Sequence, residues 1–232
     1  MMQLEERFYS LDELAEAIDR KRTDHFARDA KNDLTKWGYE YIWHNSRGVT
    51  ITKKPSTARA RLIELMGRKF GLDIQVDVYA FACFLFLMLT DISFTSMPWA
   101  ERAYTLWEQY DLDINEKTLR NWASTLLANK QLHKETTERQ YWRTSKCDGY
   151  TFREPISWNA PDYIRYKSRQ KELIEERMNA GDTKSKAWSN AFKQLWWEFD
   201  CCYYACPRFT FNMIADEINE LIELAAAVCA GA

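Results

Sequence analysis

Ser10-Leu11-Asp12-Glu13-Leu14-Ala15-Glu16-Ala17-Ile18 decides how the front of this chain is read. Ser10 and Glu13 have the spacing of a capping box, in which hydroxyl and carboxylate satisfy each other's backbone amides at a helix start. Leu11, Leu14 and Ile18 follow at i, i+3 and i+7, the one-faced pattern of an amphipathic helix. A short basic turn comes next, Asp19-Arg20-Lys21-Arg22, and Thr23 or Asp24 is placed to cap a second helix. Along that helix Phe26, Ala30, Leu34 and Trp37 make an inner face, while Arg28, Lys31, Asn32 and Thr35 make an outer one. Gly38 stands where a left-handed stop is expected.

Beyond Gly38 the period changes from helical to alternating. Tyr39-Glu40-Tyr41-Ile42-Trp43 and Val49-Thr50-Ile51-Thr52 flank His44-Asn45-Ser46-Arg47-Gly48, which predicts a β-hairpin. Lys53 and Lys54 end it, and Pro55 breaks the second strand. Helix, turn, helix, hairpin resembles the winged helix-turn-helix family, over about a quarter of the chain. The resemblance implies a second helix in the major groove and a hairpin wing along the phosphate backbone. By position, Arg28, Lys31, Asn32 and Thr35 would meet bases or phosphates, with Arg47, Lys53 and Lys54 as wing contacts. Only nine residues precede Ser10, so the family's usual first helix is expected to be absent or very short.

Working outward, charge is gathered rather than spread. The 232 residues carry a formal net charge of −2, so the whole chain does not announce a nucleic-acid binder. Yet residues 20–59 hold ten Lys/Arg against four Asp/Glu, and residues 117–146 hold seven against two. Between them, residues 60–116 hold four basic and nine acidic side chains. Both basic blocks therefore coincide with a helix followed by a hairpin.

The second block repeats the first in outline. Thr57 to Phe70 is helical by pattern, residues 74–90 form an apolar helix, and Ser96-Met97-Pro98 opens another. The uncharged run Val78 to Leu89 is too short for a bilayer, which takes about 20 residues, and reads as a central core helix. Asn115 caps a helix to Asn129 whose inner residues are Leu119, Trp122, Leu126 and Leu127. Lys117, Arg120, Asn121 and Ser124 face away, and two β-like stretches, Gln131–Trp142 and Tyr150–Pro155, bracket Arg143-Thr144-Ser145-Lys146-Cys147-Asp148-Gly149 as a hairpin. This too resembles a winged helix, with wing cations Lys134, Arg139, Arg143 and Lys146. The run Lys117-Thr118-Leu119-Arg120-Asn121-Trp122 resembles recognition helices of replication initiators and regulators from bacterial mobile elements.

Residues 158–232 read as three helices: Pro161 to Ala180, Thr183 to Cys206 and Thr210 to Val228. The middle one carries more aromatic surface than a three-helix core hides. Trp188, Phe192, Trp196, Trp197 and Tyr203, with Leu221 and Leu224 of the last helix, are therefore candidates for a homodimer or partner interface.

These patterns predict a mainly α fold with small β-hairpin wings: a winged helix-turn-helix at 1–57, a helical core with a second such unit at 58–157, and a helical bundle at 158–232. No Gly-rich phosphate loop, His-Glu-x-x-His or Gly-x-Ser-x-Gly is present, and His25, His44 and His133 sit in candidate DNA-facing segments. An enzyme is therefore not expected, nor a cofactor. Cys201, Cys202 and Cys206 cluster without a second pair to complete a zinc site, so no metal is expected. The acidic N-terminus lacks a secretory h-region, which predicts a cytoplasmic protein of a bacterial host cell without membrane attachment. The expected partner is double-stranded DNA, bound by a phage or plasmid regulator or initiator. The alternative is an anti-CRISPR inhibitor docking on a host Cas effector nucleoprotein.

Overall fold

Ser10 performs the capping its spacing predicts. Its hydroxyl accepts from the Glu13 N–H, and the Glu13 carboxylate accepts from the Ser10 N–H at 2.8 Å, opening α1 (Leu11–Ala17). The structure, a computed structural model, describes residues 4–72, 76–148 and 150–231. Leu11, Leu14 and Ile18 are buried as expected. The chain then turns at Asp19, whose φ of 53° is left-handed, a conformation that Asp tolerates better than most residues. The second helix, α2 (Phe26–Lys36), starts from His25 without a side-chain cap, so neither Thr23 nor Asp24 takes that part. Arg20 holds the turn instead, its guanidinium 2.5 Å from the Asp33 carboxylate on α2. Burial raises the Asp33 pKa above the ordinary carboxylate value, and the Arg20 charge opposes that rise.

Helix α2 buries Phe26, Ala30 and Leu34, with Trp37 at its end, and stops at Gly38 with a φ of 80°. The hairpin follows as β2 (Glu40–Trp43) and β3 (Gly48–Lys53). A third strand not anticipated from the sequence, β1 (Phe8–Ser10), pairs antiparallel with the other edge of β3, giving the order β1-β3-β2. Ser10 lies opposite Gly48, where an added Cβ would fall 2.1 Å from the Tyr9 carbonyl oxygen. With a φ of +146° besides, the position demands glycine. Tyr9, Val49 and Ile51 are buried beneath this sheet.

The chain divides into two compact units: residues 1–95, 102–133 and 209–232 make one, residues 96–101 and 134–208 the other. In the first, α3 (Thr57–Leu65) runs through a π-turn, Met66–Phe70, to Gly71. Then α4 (Val78–Thr90) passes through the core, apolar on every side. Residues 74 and 75 of its expected span lie outside the described residues. After α5 (Ile92–Thr95) come α6 (Trp99–Tyr110) and α7 (Glu116–Ala128). On α7, Trp122 meets Phe81 and Phe84 of α4 with ring centroids 5.5 and 5.6 Å apart. The core is closed by α10 (Ala215–Ala230), which packs on α3 and α4 and buries Leu221, Ala225 and Val228.

The second unit is built on β4 (Leu132–Cys147), β5 (Tyr150–Ile156) and β6 (Cys201–Phe211), in the order β5-β4-β6. The hairpin of β4 and β5 is the expected one, but its strands continue through Arg143 to Cys147. Its turn residue Gly149 lies outside the described residues. Two packed helices, α8 (Pro161–Asn179) and α9 (Lys184–Phe199), bury Tyr166, Leu173, Ala191 and Leu195 with Cys201, Cys202 and Tyr203 of β6.

Two expectations need correction. The helix expected from Thr183 to Cys206 ends at Phe199, because Asp200 turns left-handed with a φ of 51°. The chain beyond it is strand, and Pro207 is accommodated because β6 is an edge strand. The expected bundle at 158–232 is likewise divided, since α10 belongs to the first unit while α8 and α9 belong to the second. The chain is therefore mainly α with two small antiparallel sheets. Among the described residues no helix is long and apolar enough to cross a membrane.

Candidate nucleic-acid interface

The outer positions of α2 come together as the helical period requires. Arg28, Lys31, Asn32 and Thr35 are all exposed, while Ala30, Asp33 and Leu34 between them are buried. Strand β2 fixes this face from the side. The Tyr41 hydroxyl donates to the Lys31 carbonyl at 3.2 Å and lies 3.1 Å from the Thr35 hydroxyl. The Lys31 ammonium stands 5.0 Å from the centre of the Trp43 ring, a cation–π contact. The alternating pattern alone marks Tyr41 and Trp43 only as strand residues. Their signal was present in the excess of large rings on a strand of four residues.

Arg28 meets Asp29 at 3.2 Å, with the guanidinium exposed and the carboxylate half-buried, a surface pair of small worth that leaves the guanidinium accessible to another anion. At the hairpin tip Asn45 is left-handed with a φ of 54°, and its carbonyl accepts from the Trp43 indole at 3.0 Å. Arg47 is exposed in that turn. The two lysines at the end of β3 are engaged within the chain. Lys53 meets Glu40 at 2.8 Å, and Lys54, half-buried, donates to Glu5. Each carboxylate raises the pKa of its lysine and offsets the positive charge that a phosphate would meet.

The second candidate set is not gathered in the same way. Lys117, Arg120 and Asn121 are exposed on α7, with Arg120 3.3 Å from Glu116. The hairpin cations lie in the other unit. Lys134 is exposed; Arg139 donates to the Thr136 carbonyl at 2.7 Å; Arg143 meets Glu154 at 2.7 Å. The Lys146 ammonium lies 5.8 Å from the centre of the Trp196 ring. The helix and hairpin expected as one winged unit thus belong to different compact units, because the aromatic core around α4 takes the helix and the core of α8, α9 and β6 takes the hairpin.

Of the candidate interface residues, Trp188, Phe192 and Trp197 are exposed and Trp196 is half-buried on α9, with Leu224 half-buried on α10. Tyr203 and Leu221 are corrected to core residues, at 7 % and 2 % exposure. Tyr203 is enclosed by Tyr163 and Tyr166, with ring centroids 5.9 and 5.0 Å away. Cys201 and Cys202 are buried on β6, where burial raises the Cys202 pKa, and Cys206 is half-buried. Among the described residues no group of three His, Cys, Asp or Glu side chains is placed to hold a metal ion. Comparison of the chain with protein-family models, with curated proteins and with solved structures finds no match.

Proposed function

We propose that residues 8–53 form a winged helix-turn-helix and that the chain is a non-catalytic DNA-binding protein, a regulator or replication initiator of a phage or mobile element, working in the cytoplasm of a bacterial host. One observation carries this reading. The exposed side chains of Arg28, Lys31, Asn32 and Thr35 stand on one face of α2, propped by the hairpin strand and followed by Arg47 at its tip. The chain order of strand, helix, turn, helix and hairpin, with sheet order β1-β3-β2, supports it. Helix α2 would enter the major groove, where an arginine reads guanine and an asparagine reads adenine through paired hydrogen bonds. Arg47 would meet the flanking phosphate.

The reading is tested by duplex binding measured against salt. Observed affinity should fall linearly in log–log form as phosphate contacts release counterions. Arg28→Ala with Lys31→Ala should weaken binding about tenfold or more and flatten the slope. Unchanged affinity in that double variant would remove α2 as the reading element.

A further inference from the structure

A second surface carries aromatic rings instead of hydrogen-bonding groups. Trp188, Phe192 and Trp196 recur at every fourth residue along α9. Successive rings are therefore offset by about 6 Å along the helix and share one side. The Phe192 and Trp196 ring centroids are 6.5 Å apart, and the Lys146 ammonium from the hairpin stands over the Trp196 ring. Around the helix, Trp197 is 88 % exposed, one turn beyond Lys193. Lys184 and Lys193 are exposed too.

Two carboxylates at the ends of α9 are held by cations of the chain. Glu198, the acid of α9, accepts from Arg169 at 3.1 Å, and the same guanidinium meets Glu172. Asp182, before the helix, meets Lys186 at 2.8 Å. Outward stand Trp188 and Phe192 on one side of α9 and Trp197 further round it, with Lys193 between them.

From this arrangement we infer that α9, with Lys146 of the hairpin, binds single-stranded nucleic acid, by stacking unpaired bases on Trp188, Phe192 and Trp197 while Lys146, Lys184 and Lys193 meet the phosphates. Stacking needs a base with a free face, which a duplex does not offer along its length. A protein partner would favour the rings but not the lysines, since interface cores are enriched in aromatic residues and depleted of lysine. Rings alternating with cations are the pattern that tracks a flexible polyanion of flat bases. The inference stands apart from duplex reading by α2 and uses none of its residues.

The experiment uses the full chain and a labelled single strand of twenty thymidines, followed by fluorescence anisotropy and by quenching of tryptophan emission. Wild type should bind it at low salt with quenched emission. Trp188→Ala with Phe192→Ala should weaken that binding about tenfold or more, while Arg28→Ala with Lys31→Ala leaves it unchanged. Should the alanine pair unfold, Lys146→Glu with Lys193→Glu keeps every ring and should weaken single-strand binding by a similar factor. No binding to the single strand by wild type overturns the inference, as does full binding by a folded alanine pair. So does a change of the alanine pair's mass in solution with single-strand binding intact, which would make the surface a protein interface.

Discussion

Residues 26–53 and residues 116–156 have the same outline in sequence, a polar-faced helix followed by a basic hairpin, and they end in different settings. In the first, helix and hairpin stay within one unit, and the sheet's third strand, Phe8–Ser10, lies only sixteen residues before α2. In the second, α7 is drawn to the rings around α4, while the hairpin takes its third strand from Cys201–Phe211. The comparison teaches that a shared periodicity specifies elements but not their partners. A neighbour close in sequence closes the motif cheaply. Without one, each half goes to the larger apolar surface on offer.

The comparison breaks most readily at Trp122. If α7 is a core helix, Trp122→Ala should cost about 3–5 kcal/mol by urea denaturation. A loss below about 1 kcal/mol would return α7 to the class of surface helices. Next comes Gly48, the residue that lets β1 approach β3. Gly48→Ala should cost about 2–3 kcal/mol, whereas Gly67→Ala, where an added Cβ meets nothing within 4 Å, should be near neutral. Equal effects would deny β1 its place in the sheet.

A smaller effect sharpens the proposed division of labour. Lys117→Ala with Arg120→Ala should leave the salt slope of duplex binding as in wild type, in contrast to the α2 pair. The smallest lies in the cap: Ser10→Ala should cost about 1 kcal/mol. The Ser10 backbone N–H and hydroxyl hold the Glu13 carboxyl below its ordinary pKa. Its contribution is therefore complete above the unfolded value and disappears as the pH falls through the lowered one. The stability difference between wild type and Glu13→Gln should shrink as the pH falls through that range. Asp33 has the opposite sign. Its raised pKa means that its ionisation opposes folding as the pH climbs through that value, so mild acid should relieve this term.

Much of the first unit was legible because its signals are local. The Ser10–Glu13 box, the Leu11/Leu14/Ile18 and Phe26/Ala30/Leu34/Trp37 faces and the Gly38 stop each lie within a few residues, and each is borne out. The outward face of α2 followed from the same period. What escaped depends on distance or brevity. Strand β1 has three residues, too few to show alternation. The Arg20–Asp33 pair that replaces the expected cap spans thirteen positions. On β6, the rings and thiols of Cys201-Cys202-Tyr203-Tyr204 suit a helix face as well as a strand. Only the left-handed turn at Asp200 and pairing with β4 decide between them. The pairing of Lys53 and Lys54 with carboxylates was hidden for a related reason, since nothing in the spacing ties Lys54 to a carboxylate forty-nine residues away.

The path of the chain also sets an order of assembly during synthesis. Once residue 53 has left the ribosome, all three strands of the first sheet and both helices of the turn are present, and that motif can close while the rest is still being made. The core beneath it cannot. Helix α4 is made early and is apolar on every side, yet α10, which packs on it, arrives about 125 residues later, after the whole second unit has been made. Until then an uncharged helix of thirteen residues stays partly uncovered, which makes this stretch the part of the nascent chain most exposed to aggregation and to capture by chaperones.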